Sequence, residues 1–352
     1  MIRAGLIGFG LAGRVFHAPL LSSVEGLELR AVVERSTNHA AERYPGIKTY
    51  RTLEAMLEDS SLDLIVVATP NNSHFTHAKQ AIEAGKNVVV DKPMCVCATE
   101  IAQLMKLAAA HGVMLAPFHS RRWDGDFLTL RELLREGSFG RLVYFESTLD
   151  RWRPAPAARM PWKNDPAQGG LLLDLGTHLA DQSLVLFGNP EAVFAEIKRE
   201  REGDGANDCF MLRLRYSGPT VILSANTLST LERPRYHLRG TRGNYVKRGI
   251  DPQEAALSQV TRIGNGPWGR EPQKDWGTLC VDLGGGMLTQ PVEPIPGDYR
   301  RYYSSVRDAL LGEGPAPVSA LAAWRVARLM EWATESSEKR CEVFCDWSGE
   351  PM

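Results

Sequence analysis

The sequence predicts an α/β protein in two parts. Residues 1–118 should form a doubly wound parallel sheet, and residues 119–352 an α+β part with an open, mainly antiparallel sheet. Three observations carry this. Strand and helix signals alternate with short connections up to about residue 118, as in successive βα units with right-handed crossovers. Leu62 to Ala68 (LDLIVVA) is a near-continuous apolar run, as in a strand buried on both faces. Strand-like runs at 192–198, 209–216, 221–226, 236–240 and 244–246 follow one another between Gly, Pro and Asn turns, which favours antiparallel pairing.

Each element has a local reason. Ile2 to Ile7 reads as a strand, and RVFHAPLLSS after Gly13 as a helix whose regularity Pro19 limits. Leu27 to Val33 is the second strand. The helical stretch Thr37 to Arg43 ends at Pro45-Gly46, and Thr52 can cap a short helix through Glu58. After Leu62–Ala68 a helix runs to Gly85, then a strand at Asn87 to Val90, a helix from Thr99 to His111 with Gly112 as its cap, and a strand at Val113 to Ala116. Helices are expected at 126–136, 172–187, 299–311 and 319–337, and a half-buried strand at 142–149. Residues 150–170 read as a long loop over a site, and 262–298, rich in Gly and Pro, as loop. The sheet face carrying Phe210, Leu212, Leu214, Val221 and Leu223 is too apolar for water, so the sequence predicts a homodimer or homotetramer packed through it.

Composition narrows the function. A length of 352 residues gives material for two cores, and a net charge of −1 offers no field for nucleic acid or an anionic membrane. The N-terminus enters a strand directly and no apolar stretch approaches the ~20 residues of a membrane span, so a cytoplasmic location is expected. The six cysteines lack C-x-x-C spacing and zinc-finger partners, which points to reduced structural thiols and no metal.

The chemistry begins with Gly8-Phe9-Gly10-Leu11-Ala12-Gly13. This is G-x-G-x-x-G between a strand and a helix, the context that a dinucleotide fingerprint requires. Gly8 permits the tight turn, Gly10 lets a pyrophosphate approach, and Gly13 allows the helix to pack on the strand. Glu34 follows the second strand, about 20 residues on, where a carboxylate can bond a ribose diol. It would repel a 2′-phosphate, so NAD is favoured over NADP, although Arg35, Ser36 and Thr37 beside it suit a phosphate. Lys92, fixed by Pro93 at the end of the fourth of these strands, faces the cleft that such sheets form at their carboxyl ends. Asp174 and His178 are spaced i, i+4, so a helix brings carboxylate and imidazole to one face, a pairing suited to acid–base work near neutral pH; Asp181 is a competing partner for the ring. His119, Arg122 and Trp123 follow another strand; they could hold a polar, hydroxylated substrate or tie the two domains together.

GFGLAG, ATPNNSH, the DKP of Asp91–Pro93 and DLGTH at Asp174–His178 resemble the glucose–fructose oxidoreductase, inositol dehydrogenase and rhizopine-catabolism (Gfo/Idh/MocA) family. HSRRWDGDFLTL, RWRP at 151–154 and YHLRGTRGNYVKRGIDPQE resemble its bacterial scyllo-inositol dehydrogenase branch. The resemblance implies a Rossmann domain binding NAD or NADP, a second domain that makes oligomer contacts, and hydride transfer at a secondary alcohol of a cyclitol or sugar. It carries the catalytic roles to Lys92, Asp174 and His178, with Asp174 orienting the imidazole. It adds Thr69, Pro70, Asn71, His74 and Asp91 to the nucleotide site, and Arg151 and Trp162 to the substrate site. Asp91 stands where the family usually has Glu, and Glu34 where its NADP-preferring relatives have small hydroxyl residues. A dinucleotide-sensing regulator and an NAD-dependent glycoside hydrolase are the alternatives on this fold. A sensor needs only the glycine-rich half, so the presence of Lys92, Asp174 and His178 together favours the enzyme.

Overall fold

The computed structural model describes residues 1–351 except 157–159, 265 and 267. The first sheet contains β1 (Ile2–Ile7), β2 (Leu27–Val33), β3 (Lys48–Tyr50), β4 (Leu64–Val67), β5 (Asn87–Val90) and β6 (Leu115–Pro117). Their order is β3-β2-β1-β4-β5-β6, and every pairing is parallel. Val66, Val67, Val88, Val89 and Val90 have no exposed surface, because helices cover both faces. The order reverses direction between β1 and β4. Ligands of such sheets bind in the crevice at that switch, beyond the carboxyl ends of the strands.

The helices agree with the sequence where caps are local. Thr52 accepts from the Ala55 N–H at 3.2 Å, and Gly112 takes the left-handed conformation, φ 65°, after the helix Ala98–His111. Two helices differ. Residues 11–21 are helical, but Gly13–His17 is a π turn, in which the Ala18 N–H bonds the Gly13 carbonyl. The wider turn accommodates Pro19, whose ring would otherwise press on the carbonyl four residues back. Leu172–Gly176 is a second π turn, feeding the α-helix Thr177–Phe187.

The second sheet adds β7 (Leu142–Thr148), β8 (Ala192–Lys198), β9 (Cys209–Arg215), β10 (Thr220–Asn226), β11 (Tyr236–Gly240), β12 (Gly243–Lys247), β13 (Gly277–Asp282), β14 (Met287–Val292) and β15 (Val343–Phe344). The order is β14-β13-β12-β11-β7-β10-β9-β8-β15, antiparallel except for β7 with β10. The hairpin β13–β14 corrects the expectation of loop over 262–298. Five of the six β14 residues are exposed, so the strand buries no face and shows no alternation in the sequence.

The apolar face of this sheet is also corrected. Phe210, Leu212, Leu214, Val221 and Leu223 are at most 1% exposed and pack against Leu172, Leu175, Leu179 and Met330. The chain's own helices Thr177–Phe187 and Ala320–Lys339 cover them, so the cover this face needs comes from within the chain. The long C-terminal helix also reaches the first sheet. Ala320, Ala323, Trp324 and Ala327 join the core containing Ile65, Val88 and Ile101. The helix Arg300–Leu310 inserts Tyr302, Tyr303 and Val306 on the opposite face. Among the described residues no helix is long and apolar enough to cross a membrane.

This packing makes a prediction. Leu212→Ala should lower stability by about 2–5 kcal/mol, the range for a buried leucine. The urea midpoint should fall with subunit mass unchanged. An unchanged midpoint with a changed mass would return this face to an interface.

Candidate active site

The carboxyl ends of β1, β2, β4 and β5 open into a cleft of about 990 Å³ that also takes residues from the second domain. Gly8 (φ 92°) and Gly13 build the turn at its base. A Cβ on Gly8 would meet the Ala68 carbonyl at 2.7 Å, and one on Gly13 the Gly8 carbonyl at 2.1 Å. Gly10 is different, since a Cβ there would meet nothing within 4 Å. The space beside Gly10 is open, as the close approach of a ligand to the backbone would need. The cradle therefore fits the pyrophosphate of a dinucleotide.

Of the residues expected at a nucleotide, Gly8, Phe9, Gly10, Leu11, Ala12, Glu34, Arg35, Thr69, Pro70, Asn71, Asp91 and Lys92 line the cleft. Gly13 and His74 do not. Gly13 is buried inside the turn, and His74 lies behind the wall, with Nδ1 2.8 Å from the Pro93 carbonyl and Nε2 2.8 Å from the Thr69 carbonyl. It ties the loop after β4 to the loop after β5. Glu34 has a second task that the sequence did not reveal. Its Oε1 accepts from the Thr37 hydroxyl at 2.7 Å and its Oε2 from the Ala40 N–H at 2.8 Å, so it shapes its own loop. Arg51 closes that loop by donating to the carbonyls of Glu34 and Thr37 and to Asn38 Oδ1.

Lys92, Arg151, Trp162, Asp174 and His178 meet at the other end of the cleft. Lys92 Nζ donates to the Asp174 carbonyl at 2.7 Å and to Asp174 Oδ1 at 2.8 Å. Lys163, adjacent to Trp162 but not singled out in the sequence, donates to Asp174 Oδ2 at 3.0 Å. Burial alone would raise the Asp174 carboxyl; Lys92 and Lys163 outweigh it and hold the group well below the usual carboxylate range.

The expected Asp174–His178 hydrogen bond is absent. Both oxygens of Asp174 go to lysines, and the π turn, with its i→i+5 bonding, alters the i, i+4 alignment of an α-helix. His178 Nδ1 is buried without a partner. Burial, then the charges of Lys92, Arg121 and His119, push the imidazole pKa well below its usual value. The ring is neutral near pH 7 and can accept a proton.

His119, Arg122 and Trp123 are corrected as ligands of the cleft, for none of them lines it. Arg122 forms a two-bond pair with Asp181 at 2.8 and 2.6 Å, which also occupies the rival carboxylate for His178. Trp123 packs edge-on to Tyr302 with ring centres 5.7 Å apart, and its carbonyl accepts from Gln253. His119 is buried between the cleft and a small apolar pocket. Their neighbours Ser120 and Arg121 line the cleft instead. Arg121 donates to Asp124 at 3.2 Å and to Glu254 at 2.7 Å. Glu254 lies 133 residues away, and no local signal connects the two. Among the described residues no group of three His, Cys, Asp or Glu could hold a metal ion.

The neutral His178 makes stability depend on pH. The unfolded chain takes up a proton on this residue near pH ~6.5, while the native site resists it. Native stability should therefore fall as pH drops through about 6.5 and recover as pH rises. His178→Gln removes this contribution. Urea unfolding should show the wild type gaining more stability than the variant between about pH 5 and about pH 8. Equal gains would mean that the ring titrates normally in the folded protein.

Comparison with known proteins gives one answer over the chain. Residues 2–119 match the oxidoreductase family described as having an NAD-binding Rossmann fold, and residues 131–343 match that family's C-terminal alpha/beta domain. The uncharacterized oxidoreductase YdgJ of Escherichia coli (strain K12) is 41% identical over 352 aligned residues, covering 97% of this chain and 98% of YdgJ. The scyllo-inositol 2-dehydrogenase (NADP(+)) IolW of Bacillus subtilis (strain 168) is 34% identical, covering 98% of this chain and 96% of IolW. The structure of the YPO2259 putative oxidoreductase from Yersinia pestis superposes with a TM-score of 0.94 at 38% identity, covering 99% of this chain and 98% of that one.

Proposed function

Because the chain belongs to the Gfo/Idh/MocA oxidoreductase family, we propose that it transfers a hydride between a nicotinamide nucleotide and the secondary alcohol or ketone of a sugar or cyclitol. One observation carries the reading: Lys92, Asp174 and His178 converge in the cleft whose other end is the Gly8–Gly13 turn. IolW, a scyllo-inositol dehydrogenase by name, supports the substrate class.

The Gly8–Gly13 turn would hold the pyrophosphate, and the ring of the bound nucleotide would supply hydride acceptance or donation. His178, kept neutral, takes the proton from the substrate hydroxyl as the alcohol is oxidised and returns it in the reverse direction. Lys92 uses two donors on Asp174 and keeps a third for the same substrate oxygen, stabilising negative charge as it develops there. Asp174 positions Lys92 rather than the imidazole. Lys163 shares the Asp174 carboxylate and keeps it charged.

For the nucleotide the reading is NAD. Glu34 lines the cleft at the end of β2, and its charge favours a 2′-hydroxyl over a 2′-phosphate. Arg51 is committed to the Glu34 loop, which leaves Arg35 as the cation nearest by sequence for a phosphate. A homo-oligomer, in this reading, forms through the outer face of the second sheet, where Met211, Ile222 and Val246 are only half-buried. A monomer mass in light scattering at micromolar concentration would end that part.

Activity tests the chemistry. With inositols and sugars and both nucleotides, reduced nicotinamide should accumulate, read by the absorbance that the oxidised nucleotide lacks. Lys92→Ala and His178→Ala should each lose about 10²–10⁴-fold in turnover while still binding the reduced nucleotide. Near-normal turnover in His178→Ala would remove it from the mechanism. Glu34→Ser should move preference toward NADP, and an unchanged preference would release Glu34 from that role.

A further inference from the structure

Arg151 and Arg153 stand on the extended segment that prolongs β7. The Arg151 N–H donates to the Asn226 carbonyl at 3.0 Å and the Arg153 N–H to the Thr227 carbonyl at 2.8 Å, while Trp152 bridges Leu228. Arg201 grips the Arg153 carbonyl from outside. Side chains alternate along such a segment, so the two arginines share one side and Trp152, 56% exposed, takes the other. Both arginines line the cleft.

The other cations at this end have partners. Lys92 and Lys163 hold Asp174, and Arg121 holds Asp124 and Glu254. Among the described residues, neither the Arg151 nor the Arg153 guanidinium has a carboxylate within salt-bridge distance or a hydrogen-bond acceptor. Of the five cations at this end, Lys92 and Lys163 are thus taken by Asp174 and Arg121 by Asp124 and Glu254, and Asp91, beside Lys92, lies 3.7 Å from His17, which leaves Arg151 and Arg153 unmatched. Arg151 is half-buried, and removing an unpaired charge from water is costly. An anion received by the guanidinium fork in two parallel bonds would offset that cost and fix the orientation of the ligand. A neutral polyol supplies no such charge.

We propose that the substrate is a sugar or cyclitol carrying an anionic group, a carboxylate or a phosphate, and that Arg151 and Arg153 receive it. The proposal rests on the oxidoreductase reading above and narrows its substrate class. It also gives the cleft a fixed polarity, with the anionic group toward the β7 extension and the reacting carbon toward Lys92 and His178.

The test compares neutral inositols and aldoses with hexuronates, aldonates, sugar phosphates and inositol monophosphates, using both nucleotides. An anionic compound should exceed its neutral counterpart at least about tenfold in kcat/KM, and the acid and phosphate arms identify the group. In Arg151→Gln the KM for that compound should rise about 10–100-fold, the scale of one lost charge-assisted pair, and kcat should move far less. Affinity for the reduced nucleotide, read by its fluorescence, should stay unchanged. Arg153→Gln should shift KM in the same direction. Turnover of neutral compounds alone overturns the proposal and leaves the oxidoreductase reading intact. A loss of nucleotide affinity in Arg151→Gln assigns the arginines to the nucleotide and overturns it as well. Absence of nucleotide reduction with every compound overturns the oxidoreductase reading and this proposal together.

Discussion

The contact between Lys92 and Asp174 is the constraint on which the site depends. Lys92 leaves the end of β5 in the first domain, and Asp174 lies in a π turn of the second. Their 2.8 Å ion pair, with Lys163 on the other carboxylate oxygen, joins the domains at the floor of the cleft. Two ammonium groups against one carboxylate leave one positive charge in excess beside His178. That excess, added to burial, disfavours the imidazolium. One arrangement thus fixes the relative position of the domains, keeps a base unprotonated and leaves an ammonium donor for substrate.

The rest of the architecture keeps that arrangement in place. His74 joins two strand-end loops from behind, tying the Thr69 carbonyl to that of Pro93 through one ring. Arg122 and Asp181 lock the segment after β6 to the helix that carries His178. The C-terminal helix contributes to both domain cores, with Trp324 on the first sheet and Leu329 and Met330 on the second. A frame that holds the charged groups of the cleft in place is what preorganised charge requires, because donors that need not reorient cost little when charge develops.

The local rules and the non-local contacts divide the molecule clearly. The parallel sheet was legible because strands buried on both faces leave continuous apolar runs, as at Leu64–Val67, and because the glycine turn has backbone requirements that a linear motif records. The hairpin β13–β14 was not, since its outer strand buries nothing and leaves no periodic mark. The apolar face of the second sheet was recognised as needing cover, but only the fold shows that the cover is the chain's own helices.

By itself the sequence determined the fold class and the nucleotide cradle, which follow from the alternation of strand and helix signals and from turn chemistry, both acting over a few residues. The grouping of Lys92, Asp174 and His178 at one site came from the resemblance of their motifs to the family. Tertiary structure alone decided the partners. It gave Asp174 to Lys92 and Lys163 instead of His178, turned Glu34 into its own loop, moved His119, Arg122 and Trp123 out of the cleft, and put Arg121 there with Glu254. The physical reason is that a charged side chain bonds whichever opposite charge the fold brings within about 3 Å, and that neighbour is set by packing between distant segments rather than by sequence spacing.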